Sequence, residues 1–313
     1  MEKGFLLNKM EKLKPKALQK GDTIAIISPS GYVSYAEKFE KAKEYFENKG
    51  FNVKIFPNAK NKKSYLAGTD EERLFDLEAA FLDPDVKMIM TSRGGCGAAR
   101  ILDKIDYKII KNNPKIFCGY SDITAFHSAI YKKTGLVTFH APFALADFGG
   151  ENVDKYTEEC FWETILNNKK TPVKNAFEYT CIKEGKITGE LTGGNLCVLT
   201  SILGSGFEPD FKNKILYIED VNEPLYKIDR MLSQLRLNGV FKKIKGLLVG
   251  KFSCEEEGFD KKVKNLLKEY DIPMGYGFSA THETQKATLP LNISYEVDFS
   301  AGKIKPAEEY LKL

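Results

Sequence analysis

Several ingredients are scarce in this 313-residue sequence. Histidine occurs three times, as His127, His140 and His282, so any histidine-based chemistry has three candidates. The six cysteines (Cys96, Cys118, Cys160, Cys181, Cys197 and Cys254) include no Cys-x-x-Cys pair, the spacing that thiolate zinc sites and dithiol exchange use. A His-Glu-x-x-His helix is also missing, so no metal is expected, and the cysteines read as free thiols. Neither a Gly-Lys-Ser/Thr phosphate loop nor a Gly-x-Gly-x-x-Gly fingerprint is present, so no cofactor is expected. No stretch approaches the roughly 18 apolar residues of a membrane helix. The apolar start, Phe5-Leu6-Leu7, is shorter than the about 7–15 residues of a signal-peptide core. The expected compartment is therefore the cytoplasm. Lys and Arg number 47 against 43 Asp and Glu, a net charge of +4, too small to imply a nucleic-acid or membrane partner.

What is present points to a folded α/β enzyme or binding protein. Hydrophobic residues make up 42% of the chain, too many for a disordered one. Residues 23–28 form a short apolar run ending in Pro29-Ser30-Gly31, as a buried parallel strand and its turn do. Apolar positions at helical spacing cover 34–49, with Gly50 as the stop. A strand follows at 51–56. Thr69 and Glu72 form a capping box that opens a helix to about Leu82. Strands at 86–91 and around 116–118, a helix from Asp122 to about Lys133 and a strand at 136–139 complete a β-α-β-α order. That order predicts a doubly wound parallel sheet over 1–145, with ligands bound beyond the carboxyl ends of its strands. Residues 146–185 carry little pattern and read as a connecting segment. Residues 186–313 read as a smaller α+β unit, with a strand at 214–218, a helix at about 225–237 and a strand at 245–249.

Four segments could carry chemistry. Ser121, in Gly119-Tyr120-Ser121-Asp122, sits between a strand and a helix, where a sharp turn would project its hydroxyl from the sheet edge. It is either a nucleophile or the N-cap of that helix. Ser92-Arg93-Gly94-Gly95-Cys96-Gly97 follows a strand and exposes backbone N–H groups, as an oxyanion cradle or as a tight turn. Glu219 and Asp220 end an apolar strand and are either a site carboxylate or a solvated turn pair. His282 lies in a loop of small polar residues. His127 falls six positions after Ser121 on one helix, about 9 Å along and about 240° around the axis, out of reach of the hydroxyl.

In this order, together with Gly21-Asp22-Thr23-Ile24, Ser28-Pro29-Ser30, Gly193-Gly194-Asn195-Leu196, Tyr226-Lys227-Ile228-Asp229-Arg230-Met231-Leu232 and Leu289-Pro290-Leu291, these segments resemble the LD-carboxypeptidase family of serine peptidases. The resemblance covers nearly the whole chain. It implies a flavodoxin-like N-terminal domain with the nucleophile, a C-terminal swivelling domain with the histidine and glutamate, and a homodimer. It further implies a Ser121–His282–Glu219 triad, with the N–H groups of Gly95 and Asp122 as oxyanion hole. Three positions depart from the family pattern: Cys96 replaces a common aromatic residue, His140-Ala141-Pro142 stands for His-Gly-Pro, and Thr281 replaces a glycine.

The leading expectation is a carboxypeptidase that releases terminal D-alanine from murein tetrapeptide in peptidoglycan recycling. Arg93 and Arg230 are the candidate anchors for the substrate carboxylate. The stretch 219–226 looks more like this branch than like the microcin-immunity peptidases of the family, which cleave an aminoacyl-nucleotide amide. Two other readings are a Cys96-dependent amidase and a two-domain cleft that binds a peptide or sugar without cleaving it.

Overall fold

The computed structural model describes residues 11–254 and 256–313. In chain order the first half runs β1 (Thr23–Ile27), α1 (Glu37–Asn48), β2 (Asn52–Ile55), α2 (Asp70–Leu82), β3 (Val86–Thr91), α3 (Tyr107–Asn112), β4 (Ile116–Gly119), α4 (Thr124–Thr134), β5 (Phe139–His140) and α5 (Lys155–Leu166). The second half runs β6 (Thr180–Lys183), β7 (Lys186–Asn195), α6 (Leu196–Ser201), β8 (Ile215–Val221), α7 (Leu225–Leu237), β9 (Gly246–Ser253), α8 (Phe259–Leu267), β10 (Met274–Tyr276), β11 (Leu289–Pro290), β12 (Ser294–Asp298) and β13 (Lys303–Pro306). No described helix is long and apolar enough to cross a membrane.

The strand alternation of β1 sends successive side chains to opposite faces. Ile24 and Ile26 meet Phe39, Ala42 and Phe46 of α1 and Phe161 of α5. Ala25 and Ile27 meet Leu77, Ala80 and Phe81 of α2 and Phe126 of α4. The sheet is thus covered on both faces, in the order β2-β1-β3-β4-β5-β11. Its first five strands are parallel, so it is the expected doubly wound architecture. The capping box of α2 is complete: Thr69 Oγ1 accepts from Glu72 N, and Glu72 Oε2 accepts from Thr69 N.

The second sheet is ordered β13-β12-β7-β8-β9-β10-β6, with β7 to β10 parallel. Leu216, Ile218, Leu247 and Val249 on one face pack against α6, α7 and α8. Ile215, Tyr217 and Leu248 on the other face join the same apolar cluster as Ile24 and Phe46. The two sheets therefore share a core.

Three details differ from the sequence expectations. Leu136 and Val137 bond to the Leu13 segment, so strand β5 starts only at Phe139. Residues 146–185 are not plain connection. Asp154 caps α5, whose Phe161 and Trp162 pack into the aromatic cluster of Tyr45, Phe46, Phe51 and Phe148, and β6 forms the edge of the second sheet. Finally, β11 comes from the second half yet pairs antiparallel with β5 in the first sheet.

Candidate active site

The carboxyl ends of β1, β3 and β4 converge where the loops after them are tied together. The Gly31 amide donates to the Gly94 carbonyl. Asp122, buried, accepts from Ser30 Oγ and from the Ala98 amide at 2.8 Å; burial pushes its carboxyl up. Arg73 of α2 is fully buried and donates to the Pro29 carbonyl at 2.6 Å and the Gly97 carbonyl at 2.9 Å. One guanidinium thus clamps the β1 loop to the β3 loop, as its fork of donors allows.

Ser121 begins the 3₁₀ turn that leads into α4, and its φ is +58°, a left-handed conformation uncommon for a residue with a β-carbon. The chain leaves β4 extended at Tyr120 and doubles back into the helix, so the hydroxyl stands at the sheet edge. Gly94 lies directly against it: a β-carbon there would sit 2.8 Å from Ser121 Cβ and 2.9 Å from Oγ. Only glycine fits without displacing the serine. Among the described residues, no hydrogen bond reaches the Gly95 or the Asp122 amide, so both donors are available.

On β8 the period of two separates the neighbouring acids. Asp220 faces α6, where it accepts from the Cys197 amide and from Asn195 Nδ2, both at 2.9 Å. Its pKa is raised to about 6, by burial first and by the Glu219 charge second. Glu219 lies on the same face as Tyr217, is 0% exposed and accepts from His282 at Nδ1, 2.6 Å away. It also accepts from Asn195 Nδ2 at 3.4 Å. The strand carries both acids inside it rather than ending at them.

His282 loses proton affinity to burial but gains more from the Glu219 charge, its hydrogen bond and Asp220, so its pKa lies above 6.5. Its ring meets Tyr120 edge-on, with centroids 5.0 Å apart, and Tyr120 in turn stacks on Phe143 at 4.0 Å. A cavity of about 310 Å³ is lined by Ser121, His282, Gly94, Gly95, Tyr120, Phe143, Arg93 and Lys38 among others. Within it, no direct hydrogen bond joins Ser121 Oγ to the His282 ring, a contact that in unliganded sites often tightens only around substrate.

Neither of the other two histidines lines the cavity, although the His140 ring lies 5.9 Å from that of Tyr120. His127 is buried on α4, donates from Nε2 to the Gly119 carbonyl and has its pKa lowered to about 4 by burial. His140 is buried on β5, its proton affinity likewise lowered by burial. Arg93 lines the cavity and donates to the Tyr32 carbonyl at 3.3 Å. Arg230 does not line it: it is exposed on α7, its guanidinium 5.6 Å from the Tyr226 ring centre. Cys96 is exposed and is not among the cavity residues.

Sequence reasoning missed Arg73, Lys38 and the Tyr120–Phe143 wall. Arg73 left one signal, a charged residue on the helical stripe that holds Leu77 and Ala80. Lys38 left none. Among the described residues it has no carboxylate partner, and with Arg93 it gives a cavity lined by two cations and no acid.

Residues 24–141 match the LD-carboxypeptidase N-terminal domain and residues 188–297 the LD-carboxypeptidase C-terminal domain. A probable murein peptide carboxypeptidase of Bacillus subtilis is 40% identical over 285 residues, 89% of each chain. The microcin C7 self-immunity protein MccF of Escherichia coli is 32% identical over 93% of this chain and 94% of its own. A wild-type MccF structure superposes with a TM-score of 0.88 at 30% identity, covering 96% and 100%. The muramoyltetrapeptide carboxypeptidase of Oxalobacter formigenes superposes with a TM-score of 0.78 at 30% identity, covering 90% and 97%. The two matched regions take up most of the chain in the expected order, and the protein belongs to the LD-carboxypeptidase family.

Proposed function

We propose that this protein is a serine carboxypeptidase that cleaves the L,D-peptide bond of murein tetrapeptide and releases terminal D-alanine. The observation that carries the reading is the buried Glu219 carboxylate, 2.6 Å from His282 Nδ1, behind a ring that lines one cavity with Ser121. Ser121 Oγ attacks the scissile carbonyl carbon while His282 Nε2 takes its proton. Glu219 fixes the tautomer that leaves Nε2 free and stabilises the imidazolium. The Gly95 and Asp122 amides receive the carbonyl oxygen as it gains charge. The C–N bond then breaks, His282 returns the proton to the departing D-alanine amine, and water hydrolyses the acyl-enzyme by the reverse sequence. Arg93 and Lys38 supply the positive charge a carboxyl-terminal substrate needs. We place the activity in the cytoplasm, in a homodimer that recycles peptidoglycan peptides.

A second reading is cleavage of an aminoacyl-nucleotide amide. The likeness to MccF favours it; the higher identity to the murein peptide carboxypeptidase and the stretch 219–226 favour the first. Incubation of the metal-free protein with each substrate, followed by mass spectrometry, decides between them. Loss of one alanine from the tetrapeptide by wild type and Cys96→Ala, but not by Ser121→Ala, is the expected result. Cleavage of the nucleotide amide alone would move the assignment to the second reading. Cleavage that survives Ser121→Ala and fails in Cys96→Ala would overturn the serine mechanism.

A further inference from the structure

One buried ion pair beside the cavity is unused by the chemistry above. Lys286, 6% exposed, lies four residues after His282 in the loop between β10 and β11. Its Nζ is 2.8 Å from Asp147 Oδ1, and both side chains are at most a tenth exposed. Asp147 belongs to the loop after β5 and also accepts from the Phe143 amide at 2.8 Å. The Lys286 ammonium lies 5.4 Å from the centre of the Tyr120 ring, whose edge-on partner is His282. The Lys286 amide donates to Thr157 Oγ1 of α5. The loop that carries the histidine is therefore fastened to the segment that carries the serine through Lys286.

Burying two charges costs several kcal/mol before their attraction returns it, and an apolar pair would close the same loop. The placement gives the charges a second role. We propose that Lys286 is a positioning residue: paired with Asp147 and laid over Tyr120, it holds His282 toward Ser121 and opposes the charge of Glu219 at the imidazole. This rests on the serine-peptidase reading for its catalytic consequence, while the electrostatic part stands on the free protein.

Charged and titratable groups reach His282 from every side. Glu219 and Asp220 of β8 raise its proton affinity and Lys286 lowers it. Tyr120 packs on the ring, His140 of β5 couples to it weakly, and Arg93 and Lys38 share the cavity. Lys286, from the histidine's own loop, opposes the two carboxylates at the ring. Without it the imidazole holds its proton to higher pH and is a neutral base over a narrower range.

The test uses Lys286→Met and the double variant Lys286→Met/Asp147→Leu, the second removing both charges so that no unpaired carboxylate is left buried. His282 titration is followed by NMR on the free full-length protein, and kcat and KM on the tetrapeptide are measured against pH. His127, buried on α4 and out of reach of Lys286, provides an internal control. The expected result is that the His282 midpoint rises by about half a unit or more in Lys286→Met, and by less in the double variant, where loss of the Asp147 charge offsets loss of the ammonium. The acid limb of kcat should follow it, and kcat should fall about tenfold with KM within about twofold. A double variant that regains wild-type thermal stability while its His282 midpoint stays displaced supports the proposal. A wild-type midpoint in folded Lys286→Met overturns it, leaving the pair a structural tie. A displaced midpoint in a protein that cleaves no tetrapeptide upholds the electrostatic role and overturns the carboxypeptidase reading instead.

Discussion

On the Ser121 side of the cavity, the backbone carries the constraint. A left-handed φ, a glycine pressed against the hydroxyl and an arginine clamp set the serine. On the His282 side, none of residues 278–291 has a left-handed φ, and charge carries the constraint, through a fully buried carboxylate 2.6 Å from the ring and a buried lysine from the same loop. Added volume at Gly94 would displace the serine itself, whereas lost charge at Glu219 or Lys286 would leave a buried partner unpaired. A strained turn costs of order 1–3 kcal/mol and is stable only where surrounding contacts over-determine it. A buried carboxylate is stable only with its partners in place. Each half spends fold stability differently on the same task of presenting one atom.

The largest effects should come from removing the reacting groups. Ser121→Ala should lower kcat by about 10⁴-fold or more while leaving the melting temperature close to wild type. Loss of activity accompanied by a cooperative, unchanged melt checks this. Glu219→Gln keeps the volume and removes the charge; kcat should fall by about 10³- to 10⁴-fold. If the charge-sensitive half is as described, Glu219→Gln should also lower the His282 midpoint measured by NMR. Gly94→Ala adds one methyl group against Ser121 and should cost about 10²-fold in kcat by displacing the hydroxyl. A Gly94→Ala enzyme with wild-type kcat would break the comparison.

The pH dependence sharpens it. In the proposed mechanism His282 acts as a base only when neutral, and its proton affinity is raised. The rate should therefore fall as pH drops through a value above 6.5. Because the Asp220 charge contributes to that rise, Asp220→Asn should move the acid limb to lower pH. The smallest expected effect is on binding: Arg93→Ala and Lys38→Ala should each raise KM about 3- to 10-fold with little change in kcat, as loss of an exposed charge contact does. A C-terminal amide substrate should be insensitive to whichever cation holds the carboxylate.

Local signals were readable wherever local forces decide the outcome. Thr69 and Glu72 mark the start of α2 because a capping box is made within four residues. The turn at Ser121 could be read from a strand followed by Gly-Tyr-Ser-Asp, and Gly50 from its helix end. The strand after α4 was misplaced, because Leu136 and Val137 look like strand residues and bond to Leu13 from far upstream. The segment 146–185 hid α5 because the ring partners of Trp162 include Phe46 on α1 and Phe51 just before β2, outside any local window. Glu219 and Asp220 are adjacent and chemically alike in sequence. Only the alternation of a paired strand sends one to His282 and the other to α6. Arg230 reads as a candidate anchor by its charge, yet its helix turns it to solvent beside Tyr226. Lys286 and Asp147 meet only because two distant loops cross.

Strand β11 has a consequence for how the chain is made. During synthesis, β1 to β5 leave the ribosome long before Leu289 and Pro290, so the outer side of β5 stays without its neighbour until the second half has followed. Such an open edge is a template for wrong pairing between chains. The last strand added is two residues long and ends in proline, which has no N–H to offer a further strand. A late-arriving piece of the second half thus both completes the first sheet and terminates it, and a chain cut before residue 289 should aggregate rather than fold as half a protein.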